Sequence, residues 1–213
     1  AGTPGNLKGY TEALARFGTM ELKDVIAPAI AQAREGFIVR PYVHYYWTID
    51  QRGAGQINTE DKLRHSETGR TLYFHADGTL KRPGDRVANP DLAQTLERIA
   101  AAGPDIFYTG EIAQEIAADM AANGGLITQR DLADYRVREK APVWGSYRGL
   151  RIAGNPPAAG GVSLIELMHI LGEFEIGRLE HNGTRHLTIL AEAMKLMTID
   201  RDAHIGDPDF VDV

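Results

Sequence analysis

Residues 155–171, NPPAAGGVSLIELMHIL, are the stretch whose residue types and spacing most invite a chemical interpretation. Two glycines follow prolines and alanines and run directly into an apolar pattern with helical spacing. Such a stretch could bind a phosphate as a P-loop or expose a nucleophile at a sharp strand-to-helix turn. It could also simply begin a helix.

The P-loop and the nucleophile elbow both fail on residue type. A P-loop needs Lys and then Ser or Thr after its glycines, whereas Val162 and Ser163 follow Gly161. A nucleophile elbow needs a serine between glycines, and Ala158-Ala159 occupy that place. We therefore expect the prolines to end a strand and the small residues to allow close backbone packing at a helix start. The free N–H groups there could still bind an anion.

The remaining polar residues give no catalytic or metal-binding constellation. His181 and His186 lie five residues apart across a glycine, and no His-Glu-x-x-His spacing occurs. The acidic run near the C-terminal end lacks the spacing of a calcium loop. Four glutamates lie on predicted helical surfaces without a recognisable acid–base partner. We therefore assign no catalytic residue, no metal site and no cofactor, and leave substrate-binding residues unknown. The residues weighed were His44, His65, His75, His169, His181, His186 and His204, Asp200, Asp202, Asp207 and Asp209, and Glu12, Glu35, Glu111 and Glu115.

Composition narrows the class of protein. The chain has 213 residues, 43% hydrophobic and 24% charged, with a formal net charge of −6 and no cysteine. The negative net charge argues against a nucleic-acid partner, because a protein that binds nucleic acid needs clustered Lys and Arg residues. The absence of cysteine excludes disulfides, thiolate zinc sites and a cysteine nucleophile. No apolar run approaches the roughly 20 residues of a membrane span, so no membrane partner is expected.

Apolar residues at helical spacing predict a mostly helical chain. Two helices are marked by capping residues: one begins at Asn89-Pro90, and a helix of one to two turns follows Thr128. The others are predicted in PGNLKGYTEALARFGTM, MELKDVIAPAIAQAREG, Tyr42–Ile49, GPDIFYTGEIAQEIAADMAANGG (as one helix), Gly161–Leu171 and HLTILAEAMKLMTIDRDAH.

The predicted strands are few. Arg70–His75 reads as a short strand followed by a turn at Ala76–Gly78, with a surface connection before it. A β-hairpin is predicted over Tyr135–Ile152, with its turn around Trp144–Ser146. A hairpin alone is marginal in water, so its strands should join a larger sheet. Together these elements suggest one compact unit.

Four segments, in this order and spacing, carry a resemblance to a known family. Within them, GPDIFYTGEIA, GGLITQRDLADY and GDPDFVDV form the specific combination. The chain resembles the large-subunit region of the γ-glutamyltransferase (γ-glutamyltranspeptidase) family over nearly all of its length. The segments are GTPGNLKGYTEALARFGTMELKDVIAPAIAQAREGFIV, NPDLAQTLERIAAAGPDIFYTGEIAQEIAADMAANGGLITQRDLADYRV, YRGLRIAGNPPAAGGVSLIELMHILGEFE and LAEAMKLMTIDRDAHIGDPDFVDV.

The resemblance implies an α/β (α+β) fold class: a predominantly helical portion of an N-terminal-nucleophile hydrolase αββα sandwich, with a β-hairpin. It implies a precursor that cleaves itself before a threonine, whose new α-amine then acts as the base for the threonine hydroxyl. Residues 1–213 would be a single segment from the middle to the C-terminal part of the large subunit, truncated at both ends. No catalytic residue of the family can be carried onto it. Many members have Ser-Ser where this chain has Ala158-Ala159.

The parent protein is accordingly expected to transfer the γ-glutamyl group of glutathione or a related amide to water, an amino acid or a peptide. A cephalosporin-acylase-type amidase of the same superfamily is the first alternative, and a non-catalytic helical binding module is the second. The expected partners are the remainder of the large subunit, the small catalytic subunit of the same precursor and a small γ-glutamyl substrate. The expected location is periplasmic or secreted. The isolated chain should be inactive and should self-associate.

Overall fold

The computed structural model describes residues 2–212. Its strands form two antiparallel pairs: β1 (Phe37–Ile38) with β2 (Arg86–Val87), and β3 (Val143–Tyr147) with β4 (Leu150–Gly154). The rest of the regular structure is mainly helical. Its helices are α1 (Asn6–Phe17), α2 (Leu22–Glu35), α3 (Pro41–Thr48), α4 (Thr59–His65), α5 (Glu67–Tyr73), α6 (Pro90–Ala102), α7 (Asp105–Tyr108), α8 (Glu111–Ala122), α9 (Gln129–Asp134), α10 (Gly161–Gly172) and α11 (Thr184–His204).

The chain divides into two compact units between Val137 and Arg138. The sequence pattern had suggested a single compact unit. The N-terminal unit contains α1 to α9 with the β1–β2 pair. The C-terminal unit contains the β3–β4 hairpin with α10 and α11. Each unit has its own packing, described separately below.

The core of the N-terminal unit forms around Trp47. Its ring packs edge-on against Tyr73, with the ring centroids 5.3 Å apart. Val39 and Val87 are buried beside it, where β1 and β2 pair in the register Phe37↔Val87. The antiparallel pair therefore brings the segment after α2 to the segment before α6, and these two helices pack against each other.

The ends of several helices lie where capping residues predicted them. Asn89 Oδ1 accepts a hydrogen bond from the Leu92 amide (3.0 Å) at the start of α6. At the start of α9, Asp131 N donates to Thr128 Oγ1 (3.2 Å), and Thr128 N donates back to Asp131 Oδ2 (2.8 Å). These reciprocal bonds form a capping box. The Thr128 hydroxyl, which also donates to Asp131 Oδ2 (2.6 Å), and the Thr128 amide lower the pKa of the Asp131 carboxyl. Gly36 ends α2 with φ 80°, a value that favours glycine.

A hydrogen-bonded cluster, called the Tyr108 network below, fixes the N-terminal segment to the rest of its unit. The side chain of Tyr108 is almost fully buried; its hydroxyl donates to Pro4 O (2.9 Å) and accepts from Lys8 N (3.0 Å). The ring stacks on Tyr135 with centroids 6.0 Å apart. Lys8 Nζ donates to Tyr135 O (3.0 Å). The start of the chain, at Pro4 and Lys8, thus meets two tyrosines that lie far along the sequence. Tyr108 follows Lys8 by 100 residues, and Tyr135 follows it by 127.

Two predictions for the N-terminal unit were wrong. Arg70–His75 is not a strand: α5 covers Glu67–Tyr73, and Phe74 makes only an isolated bridge to Leu80. Ser66 Oγ accepts from Gly69 N (3.0 Å) and starts this helix, so a local cap outweighs the β-propensity of Thr, Leu and Tyr.

The segment GPDIFYTGEIAQEIAADMAANGG forms two helices, α7 and α8, rather than one. Gly110 lies between them with an extended backbone, and its amide bonds to Asp105 O (3.0 Å). A glycine costs a helix about 1 kcal/mol relative to alanine, which makes this a favourable place for a break. The expected surface connection before Arg70 also contains a helix, α4.

The predicted β-hairpin exists in the C-terminal unit, but its position was wrong. Arg148 and Gly149 form the two-residue turn, with φ 50° and 83°, as a type I′ hairpin turn requires. Tyr147 therefore pairs with Leu150, and the expected turn around Trp144 lies inside β3. Tyr135 belongs to no strand. The hairpin forms a two-stranded sheet of its own among the described residues, so a larger sheet is not seen there.

Helix α10 packs on the hairpin and on α11. A Cβ at Gly145 would overlap Ile165, which shows how closely β3 approaches the helix. Ala193, 2% exposed, marks the buried side of α11. In this packing Leu171 is buried, whereas Leu164, Leu187 and Met194 are exposed.

None of the helices within residues 2–212 combines the length and the apolar character that crossing a membrane requires. This includes α11, which has 21 residues.

We expect Tyr108→Phe to lower the free energy of unfolding by about 1–3 kcal/mol, because Pro4 O and Lys8 N lose their common partner. Urea titration followed by circular dichroism measures the change. Tyr10→Phe is the matched control, since Tyr10 is 70% exposed on α1 and should leave the unfolding midpoint unchanged. Equal effects of the two substitutions would contradict a role for the Tyr108 hydroxyl.

Candidate functional site

A polar cleft lies in the C-terminal unit where β4 passes into α10. Its volume is about 380 Å³, and we call it the α10 cleft. One wall is the loop 158–160 with Ser163 of the first helical turn, and the other is the C-terminal end of α11. The cleft thus contains the glycine-rich stretch that the sequence singled out.

The loop brings the end of β4 into direct backbone contact with the start of α10. A Cβ at Gly161 would overlap the backbone N and O of Asn155 and the carbonyl carbon of Gly154. Only a residue without a side chain fits this approach. The close backbone packing predicted for the small residues is therefore present at Gly161. Gly160 differs, since a Cβ there would meet nothing within 4 Å.

Hydrogen-bond donors remain free at this end of α10. The first helical bond runs from Leu164 N to Gly160 O (3.0 Å), so the three preceding amides have no acceptor within the helix. The side chain of Ser163 is 6% exposed, lines the cleft and makes no hydrogen bond to any residue between 2 and 212. A buried hydroxyl normally has a partner, so this one is unusual.

The opposite wall carries both signs of charge. Arg201 donates from Nε (2.9 Å) and Nη2 (2.8 Å) to Asp202 Oδ1. Both side chains are about half exposed, and an ion pair so close to water contributes little to stability. These bonds use two of the five guanidinium donors, so Arg201 keeps capacity for another acceptor.

Two carboxyl groups meet beside this region. Glu166 of α10 shares a hydrogen bond with Asp200 of α11. Burial raises the pKa of Glu166, and the hydrogen bond with the Asp200 carboxyl and its negative charge raise it further. Protonation of Glu166 therefore favours the packing of the two helices, and its ionisation opposes it.

Several of the other polar residues considered from sequence pair with neighbouring side chains or backbone groups. The His181 and His186 rings lie 5.7 Å apart, and His186 Nδ1 accepts from Asn182 N (3.2 Å). Glu111 and Glu115 both pair with Arg98. Within residues 2–212, no three His, Asp or Glu side chains converge as metal ligands would. The remaining ion pairs among these candidates are Glu12–Arg16, His75–Asp85, Asp202–Arg201 and Asp209–Arg138.

Comparison with known proteins places the whole chain in one family. The family model described as Gamma-glutamyltranspeptidase matches residues 1–213. The chain belongs to the gamma-glutamyltranspeptidase family. The resemblance carried by the four sequence segments is thereby confirmed.

Relatives in this family carry two kinds of name. The chain is 38% identical to the glutathione hydrolase proenzyme of Escherichia coli (strain K12), over 100% of the chain and 35% of that protein. It is 42% identical to the acylase ACY 1 proenzyme of Pseudomonas sp. (strain SE83), over 99% of the chain and 36% of that protein. The chain thus spans about a third of the length of these gamma-glutamyltranspeptidase relatives. The family is one of hydrolase and transferase enzymes.

The fold agrees with the family. The crystal structure of Helicobacter pylori gamma-glutamyltranspeptidase superposes with a TM-score of 0.87 at 33% identity, over 100% of this chain and 59% of that chain. The predicted fold class, a mostly helical portion of an N-terminal-nucleophile hydrolase with a β-hairpin, is confirmed by this likeness and by the elements described above.

Sequence reasoning missed the polar groups that make the α10 cleft distinctive. Ser163 was considered only as a failed P-loop position, and Arg201 and Glu166 were not singled out. Ser163 lies two residues after the glycine pair, which is a local signal for the first turn of a helix. Nothing local indicates that Arg201 and Asp202, near the C-terminal end of α11, line the cleft beside that turn.

Glu166→Gln should raise the midpoint of thermal unfolding at pH 7, and this effect should diminish as the pH falls through the raised pKa and be absent below about 4.3, the ordinary glutamate pKa. The folded state raises the pKa of Glu166, so it binds the proton more tightly than the unfolded chain does. That stabilisation is complete at low pH and lost as the pH rises through the raised pKa. Scanning calorimetry between pH 3.5 and 8 measures it.

Glu173→Gln, an exposed change just after α10, is the control for the pH series and should show no such pH-dependent difference. A Glu166→Gln effect of the same size at every pH would contradict the shared proton.

Proposed function

We propose that this chain forms the middle to C-terminal part of the large subunit of an autoprocessed enzyme. That enzyme transfers the γ-glutamyl group of glutathione or a related amide to water, an amino acid or a peptide. The observation that carries the proposal is the family match along all 213 residues. The structural likeness to the Helicobacter pylori protein over the whole chain supports it.

In the proposed reaction, the hydroxyl of a threonine outside these 213 residues attacks the amide carbonyl and displaces the amine. The α-amine of that threonine takes up the hydroxyl proton and gives it to the leaving amine. Water or an acceptor amine then removes the acyl group from the threonine. The described helices and hairpin form part of the scaffold around that site.

The partners proposed for the chain are the rest of the large subunit and the small subunit of the same precursor. The names of the Escherichia coli and Pseudomonas relatives, both proenzymes, support a precursor. A periplasmic or secreted location is part of the same proposal. It rests on the resemblance to bacterial members of the family.

An acylase acting on cephalosporin side chains is the second candidate function. The 42% identity to the Pseudomonas acylase proenzyme favours it as strongly as the 38% identity to the glutathione hydrolase proenzyme favours the first. A γ-glutamyl group differs from a glutaryl group by one α-amino group. The two candidates therefore differ in whether the complete enzyme recognises that amine.

We expect the protein expressed from its complete reading frame to release p-nitroaniline from γ-glutamyl-p-nitroanilide at least about tenfold faster, in kcat/KM, than from glutaryl-p-nitroanilide. The glutaryl substrate lacks the α-amine, and loss of one charged hydrogen bond to that amine lowers kcat/KM by a factor of this size. The matched substrates separate the two candidates. A preference for the glutaryl anilide would favour the acylase over the transferase as the function. Turnover of neither anilide would contradict both candidate functions.

The 213-residue chain produced alone should be inactive and should self-associate, because apolar side chains are exposed and the hairpin has unpaired edges. Light scattering at tens of micromolar and the anilide assay measure the two properties. A monodisperse monomer would contradict the association, and turnover above the blank would contradict a nucleophile outside the chain. Exposed residues that would drive association include Tyr10, Phe17, Met20, Val25, Leu187 and Met194.

A further inference from the structure

We propose that the α10 cleft binds a small oxyanion, of the carboxylate or phosphate class, between the first turn of α10 and the guanidinium of Arg201. The ligand would accept hydrogen bonds from the free amides of that turn and from the Ser163 hydroxyl. This function is separate from the proposed acyl transfer and is measured without turnover.

The first observation is the set of unused donors on one wall. Amides at the start of α10 have no acceptor in the helix, and the positive end of a 12-residue helix dipole lies at the same place. Gly160 leaves open space beside this backbone, so a ligand can approach it closely. An anion at such a position gains hydrogen bonds and a favourable field together.

The second observation is independent of the helix end. Ser163 is 94% buried, yet its hydroxyl has no partner within residues 2–212 and lines the cleft. Among the described residues, every side-chain oxygen or nitrogen that is fully shielded from solvent has a hydrogen-bond partner. The Ser163 hydroxyl therefore opens into the cleft, and a ligand oxygen there would give it the bond that it lacks.

The opposite wall supplies the charge. Arg201 lines the cleft and spends only part of its donor set on Asp202. A planar guanidinium suits the paired oxygens of a carboxylate or a phosphate. Asp202 competes for the same guanidinium and repels an anion, so removing its charge should strengthen binding. An ion pair that is only structural gives no such gain in anion affinity when Asp202 is neutralised, so this variant distinguishes the two roles.

The ligand should be small, and binding should be weak. The cleft holds about 380 Å³, enough for an ion of a few heavy atoms with some of its water. The net charge of −6 on the chain gives anions no general attraction. We therefore expect dissociation constants on the order of 1 mM.

The test is isothermal titration calorimetry of the protein from its complete reading frame with inorganic phosphate and, separately, with acetate. Ionic strength is held constant at pH 7. We expect saturable binding of at least one anion. Arg201→Gln should weaken it about tenfold and Ser163→Ala about threefold to tenfold, while Asp202→Asn should strengthen it at least about threefold.

Arg185→Gln is the matched control. It removes the same charge from the first turn of α11, about 24 Å along the helix from Arg201, and should leave the affinity unchanged. Phosphate binding alone assigns the phosphate class, and acetate binding alone assigns the carboxylate class. Absence of saturation up to about 50 mM with both anions overturns the proposal. So does binding that Ser163→Ala and Asp202→Asn leave unchanged, since Asp202 is exposed and its substitution should not disturb folding.

Discussion

A shortage of buried apolar surface governs how this chain is held together. The structure exposes 14747 Å², whereas a compact protein of 23.3 kDa exposes about 9,700 Å². Even two separate compact units with the lengths found here would expose only about 11,600 Å². Because burial of apolar area is the main source of folding free energy, the scaffold has less of it than its length allows. This excess surface supports the proposal that further polypeptide of the precursor covers the exposed helical faces.

With few buried apolar side chains, individual contacts of other kinds fix the elements. The Tyr108 network holds the segment before α1, and the Thr128–Asp131 capping box fixes the start of α9. At Gly161, the backbone at the start of α10 packs directly against the backbone after β4. Hydrogen bonds are directional, so each hydrogen-bonded contact restricts the orientation of the segments that it joins. A small apolar core restricts those orientations less.

The parts of the fold that sequence predicted are those encoded by neighbouring residues. Asn89-Pro90 and Thr128 mark helix starts because a cap acts within one turn. The hairpin turn was misplaced because Arg148-Gly149 lacks the Asn or Asp that usually reveals a type I′ turn. The family was recognised from spaced motifs, whereas the α10 cleft was not foreseen. Its two walls come from residues about 40 positions apart, and no local pattern brings Ser163 and Arg201 together.

The Tyr108 network also orders events during synthesis. The chain is made from the N-terminus, and α1, with 12 residues, is only marginally stable as an isolated helix in water. Its anchoring partners, Tyr108 and the carbonyl oxygen of Tyr135, are added 100 and 127 residues after Lys8. At 5–20 residues per second, the delay is roughly 6–25 s. During that interval α1 lacks these anchoring contacts, and its apolar side chains remain available to chaperones or to neighbouring nascent chains.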